Sequence, residues 1–302
     1  MPPLPEGLAV ALEEIRSDRM SGAAALARRA ALAVLEAAPE LSRLAPPQRF
    51  SILAEAARRL VEAQPAMAPL VNLADSLLRQ SDELEQAARD FLARLDAARR
   101  AVSRHGAALI ADGASLLTHS ASQAVLDALL AARAEGKRFL VYVTESRPQC
   151  EGVSLARRLG EAGIPVRLVI DAALFARLAD CDLTVTGADS VSRAGVVNKT
   201  GTALAALAAR ARGKPFYVLC GSEKFLPGDY ILPAEPPKPA EEILANAPPN
   251  VTVENFYFET TPLELLTGIV SEEGVLNPQQ LLSRLAARQV HPALLSGRSS
   301  SA

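Results

Sequence analysis

The spacing of apolar residues changes character about a third of the way along the chain. Residues 22–38, GAAALARRAALAVLEAA, place apolar side chains three and four apart, with Arg28 and Arg29 on the opposite face. Residues 49–63 and 66–103 repeat this spacing, and Pro46 and Pro47 punctuate the gap before them. The pattern predicts an all-helical unit over residues 8–105, rich enough in alanine for close helix packing. From about residue 106 short β-branched and apolar runs take over: ASLLTHS, RFLVYVTES, VRLVID, DLTVTGAD and PFYVLCG. Helical spacing returns between them at 121–134, 151–163, 172–180 and 199–212. Strand alternating with helix predicts a mostly parallel, doubly wound α/β sheet covered on both faces. Residues 228–250 are proline-rich and read as a long loop. VENFYFETTPLELLTGIVSEEG then predicts one more strand and helix. The domains expected are 1–105, helical, and 106–302, α/β and carrying most of the site. The tail SGRSSSA reads as frayed.

A doubly wound sheet binds ligands beyond the carboxyl ends of its strands. The predicted strands end in Thr118-His119-Ser120, Thr144-Glu145-Ser146-Arg147, Asp171 and Gly187-Ala188-Asp189, and the last leads to Gly221-Ser222-Glu223-Lys224. Arg147, Lys199 and Lys224 beside Asp189 suit a small phosphorylated polyol: cations for phosphate, a carboxylate for hydroxyls or a proton. Each residue also has a structural role open to it. Asp171 and Asp189 can cap the helices that follow them, Arg147 can be a turn residue, and His119 can be a structural donor.

Composition narrows the classes. The 302 residues are 49% hydrophobic and 22% charged, with formal net charge −2 and no Lys/Arg run, so direct nucleic-acid binding is not expected. Cys150, Cys181 and Cys220 are widely spaced, which fits a reducing cytoplasm rather than a disulfide framework or zinc site. No apolar run suits a membrane span, and MPPLPEGLAV lacks signal-peptide features. There is no G-x-G-x-x-G, no G-x-x-x-x-G-K-[ST] and no ligand cluster, so neither cofactor nor metal is implied.

Longer motifs carry a resemblance. T-E-S-R-P-x-x-x-G at 144–152, V-x-G-A-D-S-V-x-x-x-G-x-x-N-K-x-G-T at 185–202 and K-P-F-Y-V-x-x-x-S-x-K-F at 214–225 resemble one superfamily. It unites the α, β and δ subunits of translation initiation factor 2B with isomerases of methylthioribose 1-phosphate and ribose 1,5-bisphosphate. T-P-x-E-L-L-x-x-I-V-x-E-x-G-V-L at 261–276 is similar to the signature that ends the α type. S-D-R-M-S-G-A at 17–23 resembles the substrate-facing N-terminal loop. The resemblance implies an N-terminal helical domain, a Rossmann-like C-terminal domain and a homo-oligomer, expected to be a homodimer formed through the α/β domain. A translation-factor partner is open.

In the isomerases this resemblance invokes, a Cys follows Thr-His and works with the Asp of Gly-Ala-Asp. Here Ser120 stands in the Cys position, while Asp189, Asn198 and Lys199 are kept. The enzymatic Arg-Gly-Ala becomes Ser21-Gly22-Ala23, with Arg19 two residues earlier. A thiol reaches its thiolate near neutral pH, whereas a hydroxyl needs an adjacent strong base. The resemblance thus implies a phosphosugar pocket of Ser120 and Asp189 as the catalytic positions. By the same resemblance Arg19, Ser21, Gly22, Ala23, Arg147, Asn198 and Lys199 are expected to bind the ligand. The first reading is a regulatory or binding protein. The alternative is an aldose–ketose isomerase, an intramolecular oxidoreductase, acting on a pentose phosphate.

Overall fold

The computed structural model describes residues 3–228, 230–233 and 235–295; the tail SGRSSSA lies outside the described residues. The chain opens with helices α1 (Glu6–Ser17), α2 (Ala23–Leu41), α3 (Pro46–Ala63), α4 (Ala68–Arg79) and α5 (Leu84–Ala108). Pro46 and Pro47 start α3, where a missing amide donor costs nothing. The predicted 66–103 helix is two helices. A polar turn at 80–83 divides them, and it allows both α4 and α5 to pack into one cluster. That cluster buries Leu26, Ala27, Ala30, Leu53, Leu73 and Phe91, and later parts of the chain, Leu226 and Leu294, complete it.

The α/β region begins with β1 (Ser115–Thr118), α6 (Gln123–Ala134), β2 (Leu140–Thr144), α7 (Glu151–Glu161), β3 (Val166–Val169), α8 (Leu174–Arg177) and β4 (Leu183–Thr186). It continues through β5 (Ser190–Ser192), β6 (Gly195–Lys199), α9 (Thr202–Ala211), β7 (Phe216–Leu219), β8 (Phe258–Thr261), β9 (Gly268–Ser271), β10 (Gly274–Leu276) and α10 (Pro278–Ala286). The main sheet has the order β10-β9-β7-β4-β1-β2-β3, parallel except for the edge pair β9–β10. Successive strands build outward in one direction from β1 and in the other from β4. The crevice between the ends of β1 and β4 is therefore the topological switch point. The two faces of the sheet are covered by separate apolar clusters, and the C-terminal half of α5 belongs to one of them through Val102 and Ala107. Helix α5 thus carries residue 105 without interruption and packs on both regions.

Three local features differ from the pattern-based expectation. The stretch after Gly187-Ala188-Asp189 is not loop then helix but the hairpin β5–β6, which joins β8 in a small antiparallel sheet. Helix α9 starts at Thr202, because Asn198 and Lys199 are the last residues of β6. Residues 253–274 form the strands β8 and β9 with a single 3-10 turn between them, not strand and helix. Ile269 and Val270 are buried inside the main sheet, so most of the apolar surplus of this segment is absorbed within the fold.

Candidate functional site

A cavity of about 1230 Å³ lies over the switch point, between the strand ends and the helical region. Arg19, Ser21, Gly22, Ala23, Ser120, Asp189, Asn198 and Lys199 all line it. Arg147 does not. Its guanidinium is turned to the Glu242 carbonyl (3.3 Å) and its backbone amide to Asp171 (2.8 Å).

Asp189 follows β4, in a turn whose glycine is required: a Cβ on Gly187 would stand 2.3 Å from Ser122 Oγ. No helix follows Asp189, so it cannot cap one there. The carboxyl lies towards the start of α2, where the Ala23 amide dipole favours its ionised form. Gly22 precedes that helix and has no side chain to cap it. Burial pushes the Asp189 carboxyl above its ordinary value; Glu151 adds to the rise, while Lys224, Lys199 and the Ala23 amide oppose it. Lys224 is buried and donates to the Ala188 carbonyl, which props the same turn from behind.

The end of β1 is organised differently. His119 is 1% exposed, with Nδ1 2.6 Å from Thr144 Oγ1 and Nε2 2.8 Å from the Thr200 carbonyl. The carbonyl can only accept, so Nε2 carries the proton and Nδ1 accepts from Thr144. Burial lowers the His119 pKa, and the ring stays neutral. The ring also lies against Gly201, whose φ of +107 and 2.8 Å clearance from that ring leave no room for a Cβ. His119 is therefore a structural link from β1 to the loop before α9, and neither nitrogen is free to activate Ser120. Ser120 itself takes a left-handed φ of +65, beyond the strand, and its amide donates to Ser146 Oγ (2.7 Å).

Asn198 is buried and donates to Thr202 Oγ1 (2.9 Å). The amides of Gly201 and Ala203 at the start of α9 are occupied by Glu259 Oε1 (2.8 and 2.7 Å), so this helix end offers nothing to an anion. Lys199 Nζ lies 2.7 Å from Glu151 Oε1 and 4.8 Å from the centre of the Tyr257 ring. In the N-terminal loop Asp18 accepts from the amides of Met20 (2.9 Å) and Ser21 (2.8 Å) and from Ser21 Oγ (2.8 Å). Burial opposes ionisation of Asp18, but these bonds outweigh it and hold its pKa below the ordinary value. The Ser21 hydroxyl is therefore committed to its own loop. Arg19 lies 3.8 Å from Glu242.

Among the described residues no group of three or more His, Cys, Asp or Glu side chains is placed to hold a metal ion. No helix among them is long and apolar enough to cross a membrane.

The initiation factor 2 subunit family model matches residues 19–278. The chain belongs to this family. A relative from Pyrococcus horikoshii, named a putative translation initiation factor eIF-2B subunit 2-like protein, is 36% identical over 91% of this chain and 98% of its own. The ribose 1,5-bisphosphate isomerase of Archaeoglobus fulgidus is 33% identical over 89% of each chain. A crystal structure of the Pyrococcus horikoshii translation initiation factor eIF-2B superposes with a TM-score of 0.80 at 35% identity, covering 91% of this chain and 98% of that one. The family's helical region followed by a mostly parallel sheet is thus the fold seen here.

Sequence reasoning misses several residues that the fold brings to the cavity. Glu151 sits inside the T-E-S-R-P-x-x-x-G motif, at one of its variable positions. Helical spacing puts Arg28 on the outer face of α2, yet it and Arg99 of α5 face the cavity, each paired with a carboxylate, Asp96 and Asp127 respectively. Arg158 of α7 donates to the neutral Gln123 side-chain carbonyl (3.3 Å). Helical spacing separates faces but does not say which polar face meets another element.

Proposed function

We propose that this family member binds a phosphorylated sugar in the switch-point cavity and acts as a regulatory or binding protein, not as a thiol-dependent isomerase. The end of β1 carries the reading. Ser120 stands where the isomerases keep a Cys, and the adjacent His119 has both ring nitrogens engaged by Thr144 and Thr200. A hydroxyl without a base is a poor nucleophile and a poor proton carrier. Asp189, Asn198 and Lys199 meet the sugar, and Arg19 with the mouth arginines Arg28, Arg99 and Arg158 favours its phosphate. The protein is placed in a reducing cytoplasm, in keeping with free thiols at Cys150, Cys181 and Cys220.

A homodimer through the α/β region belongs to the same reading. Leu204 and Leu207 of α9, Phe175 of α8 and Ile170 beyond β3 are exposed large apolar residues on that region, and a second copy of the chain would cover them. Light scattering of the wild type should give twice the chain mass, and Leu204→Glu with Leu207→Glu should give the monomer.

The deciding experiment is a thermal-shift series with pentose mono- and bisphosphates, followed by an assay for the ketose product. A ligand at a hundredfold its Kd stabilises the folded state by about 2.7 kcal/mol. Lys199→Ala should remove most of that shift; a shift that survives places the ligand elsewhere. One observation favours the second reading, an aldose–ketose isomerase: burial raises the Asp189 pKa above its ordinary value, the direction that helps a carboxyl take up and return a proton. Ketose formed by the wild type would establish that reading. Ketose formed only by Ser120→Cys would show a binding protein whose remaining pocket is still enzyme-like.

A further inference from the structure

The lysine expected to attract an anion already has one. Lys199 Nζ lies 2.7 Å from Glu151 Oε1, and its side chain is 4% exposed against 17% for Glu151. The ammonium also rests on the Tyr257 ring, a face that stabilises a cation but supplies no hydrogen-bond acceptor. Glu151 depends on this contact in turn. Its Oε2 is buried with no hydrogen-bond partner among the described residues. Gln149, with its amide turned to satisfy both ends, donates to the same Oε1 (3.2 Å) and accepts from the Tyr257 hydroxyl (2.9 Å). The donors to this carboxylate therefore converge on one oxygen.

Two anions cannot share this lysine without loss. A bare phosphate that bonded Lys199 would displace Glu151 and leave a little-exposed carboxylate without its cation, a costly state. The neighbouring Asp189 already feels the Glu151 charge, so a further negative group bonded to Lys199 would face two carboxylates. A ligand that brings O–H donors together with its phosphate escapes this penalty, because its hydroxyls can bond the carboxylates it disturbs.

We propose that Glu151 is the specificity-determining residue of the cavity: it quenches Lys199 against simple anions and makes the site demand a phosphorylated polyol. This rests on the phosphosugar reading above and adds what selects the ligand within it. The residue acts through its charge, so the neutral isostere and the shortened acid should separate.

The test is calorimetry of ribose 5-phosphate binding, with inorganic phosphate as competitor, on the wild type, Glu151→Gln and Glu151→Asp. In Glu151→Gln inorganic phosphate should bind about tenfold tighter while ribose 5-phosphate changes by less than about threefold, so discrimination between them collapses. Glu151→Asp keeps the charge and should keep the wild-type ratio, which a purely structural role of the side chain would not predict. Glu151→Ser, smaller and neutral, gives the same readout if Glu151→Gln does not fold. Failure of both neutral variants to fold overturns the proposal, since the carboxylate is then a requirement of the fold. An unchanged ratio in the neutral variants, with the wild type binding ribose 5-phosphate, overturns it and leaves the phosphosugar reading intact. A wild type that binds no pentose phosphate removes both.

Discussion

The ends of β1 and β4 open into the same cavity, side by side at the switch point, and offer it opposite chemistry. The β1 end delivers an imidazole sealed between a hydroxyl and a carbonyl, followed by a serine with no base. The β4 end delivers a carboxylate that sits among Lys224, Glu151 and Lys199, towards the start of α2. Both His119 and Asp189 are shifted mainly by burial, yet burial favours the neutral form of each and so moves them in opposite directions. One strand end has been made inert and holds the architecture. The other is kept electrostatically loaded, which is the expected state of a group that meets a ligand.

The largest expected effect comes from breaking the inert end. His119→Ala leaves the Thr200 carbonyl without its ring donor and Thr144 Oγ1 with only Ser146 Oγ (3.2 Å), and opens a void beside Gly201. A loss of about 3 kcal/mol is expected in denaturant unfolding. A loss below about 1 kcal/mol would mean that water replaces the ring without cost, and the structural assignment would fail. His119 also has a pH signature. Its folded pKa is lowered, so below its ordinary value of 6.5 the unfolded chain takes up a proton that the folded chain refuses. The His119 contribution to stability is therefore lost as the pH falls.

A middle-sized effect of opposite sign is expected at the loaded end. The Asp189 pKa is raised above 3.8 in the folded chain, so the stability associated with its protonated form is lost as pH rises through the raised value. Asp189→Asn keeps the shape of the side chain and removes a charge that its surroundings disfavour. It should stabilise the ligand-free protein by about 1 kcal/mol at neutral pH, with the gain disappearing towards pH 4. The same variant should bind ribose 5-phosphate more weakly. A stability loss at neutral pH would show that the charge itself, acting on the α2 terminus, is what the site needs.

The smallest effect concerns thiols. Burial raises the pKa of Cys181 to about 12 and pushes Cys220 higher still, although Cys220 lines the cavity. Cys150 is partly exposed immediately before α7. Titration of the native protein with an aromatic disulfide should modify Cys150 first and leave the other two until unfolding. Rapid reaction of Cys220 would show that the cavity floor opens and that a thiol can act there in place of the missing one.

Much of this protein is determined locally by its sequence. Five strands with their flanking helices follow from alternation of β-branched runs and helical spacing, and the motif around Asp189, Asn198 and Lys199 identifies the family and its pocket. These signals are short-range: each depends on residues within one element. What needed the tertiary structure is every choice of partner. Nothing local distinguishes an aspartate that caps the next helix from one that faces the start of α2, more than a hundred and sixty residues earlier, because both have the same side chain after the same strand. The hairpin β5–β6 reads as loop because Ser190, Ser192, Arg193 and Gly195 interrupt its apolar run, and β8, which pairs with β6, lies beyond a long proline-rich segment. The place of Arg147 after β2 directs it to the phosphate on sequence grounds, but its side chain turns outward to Glu242. The Lys199–Glu151 pair joins residues 48 apart in the chain. Charge pairing of that kind depends on distances of a few ångströms, which only the packed chain sets.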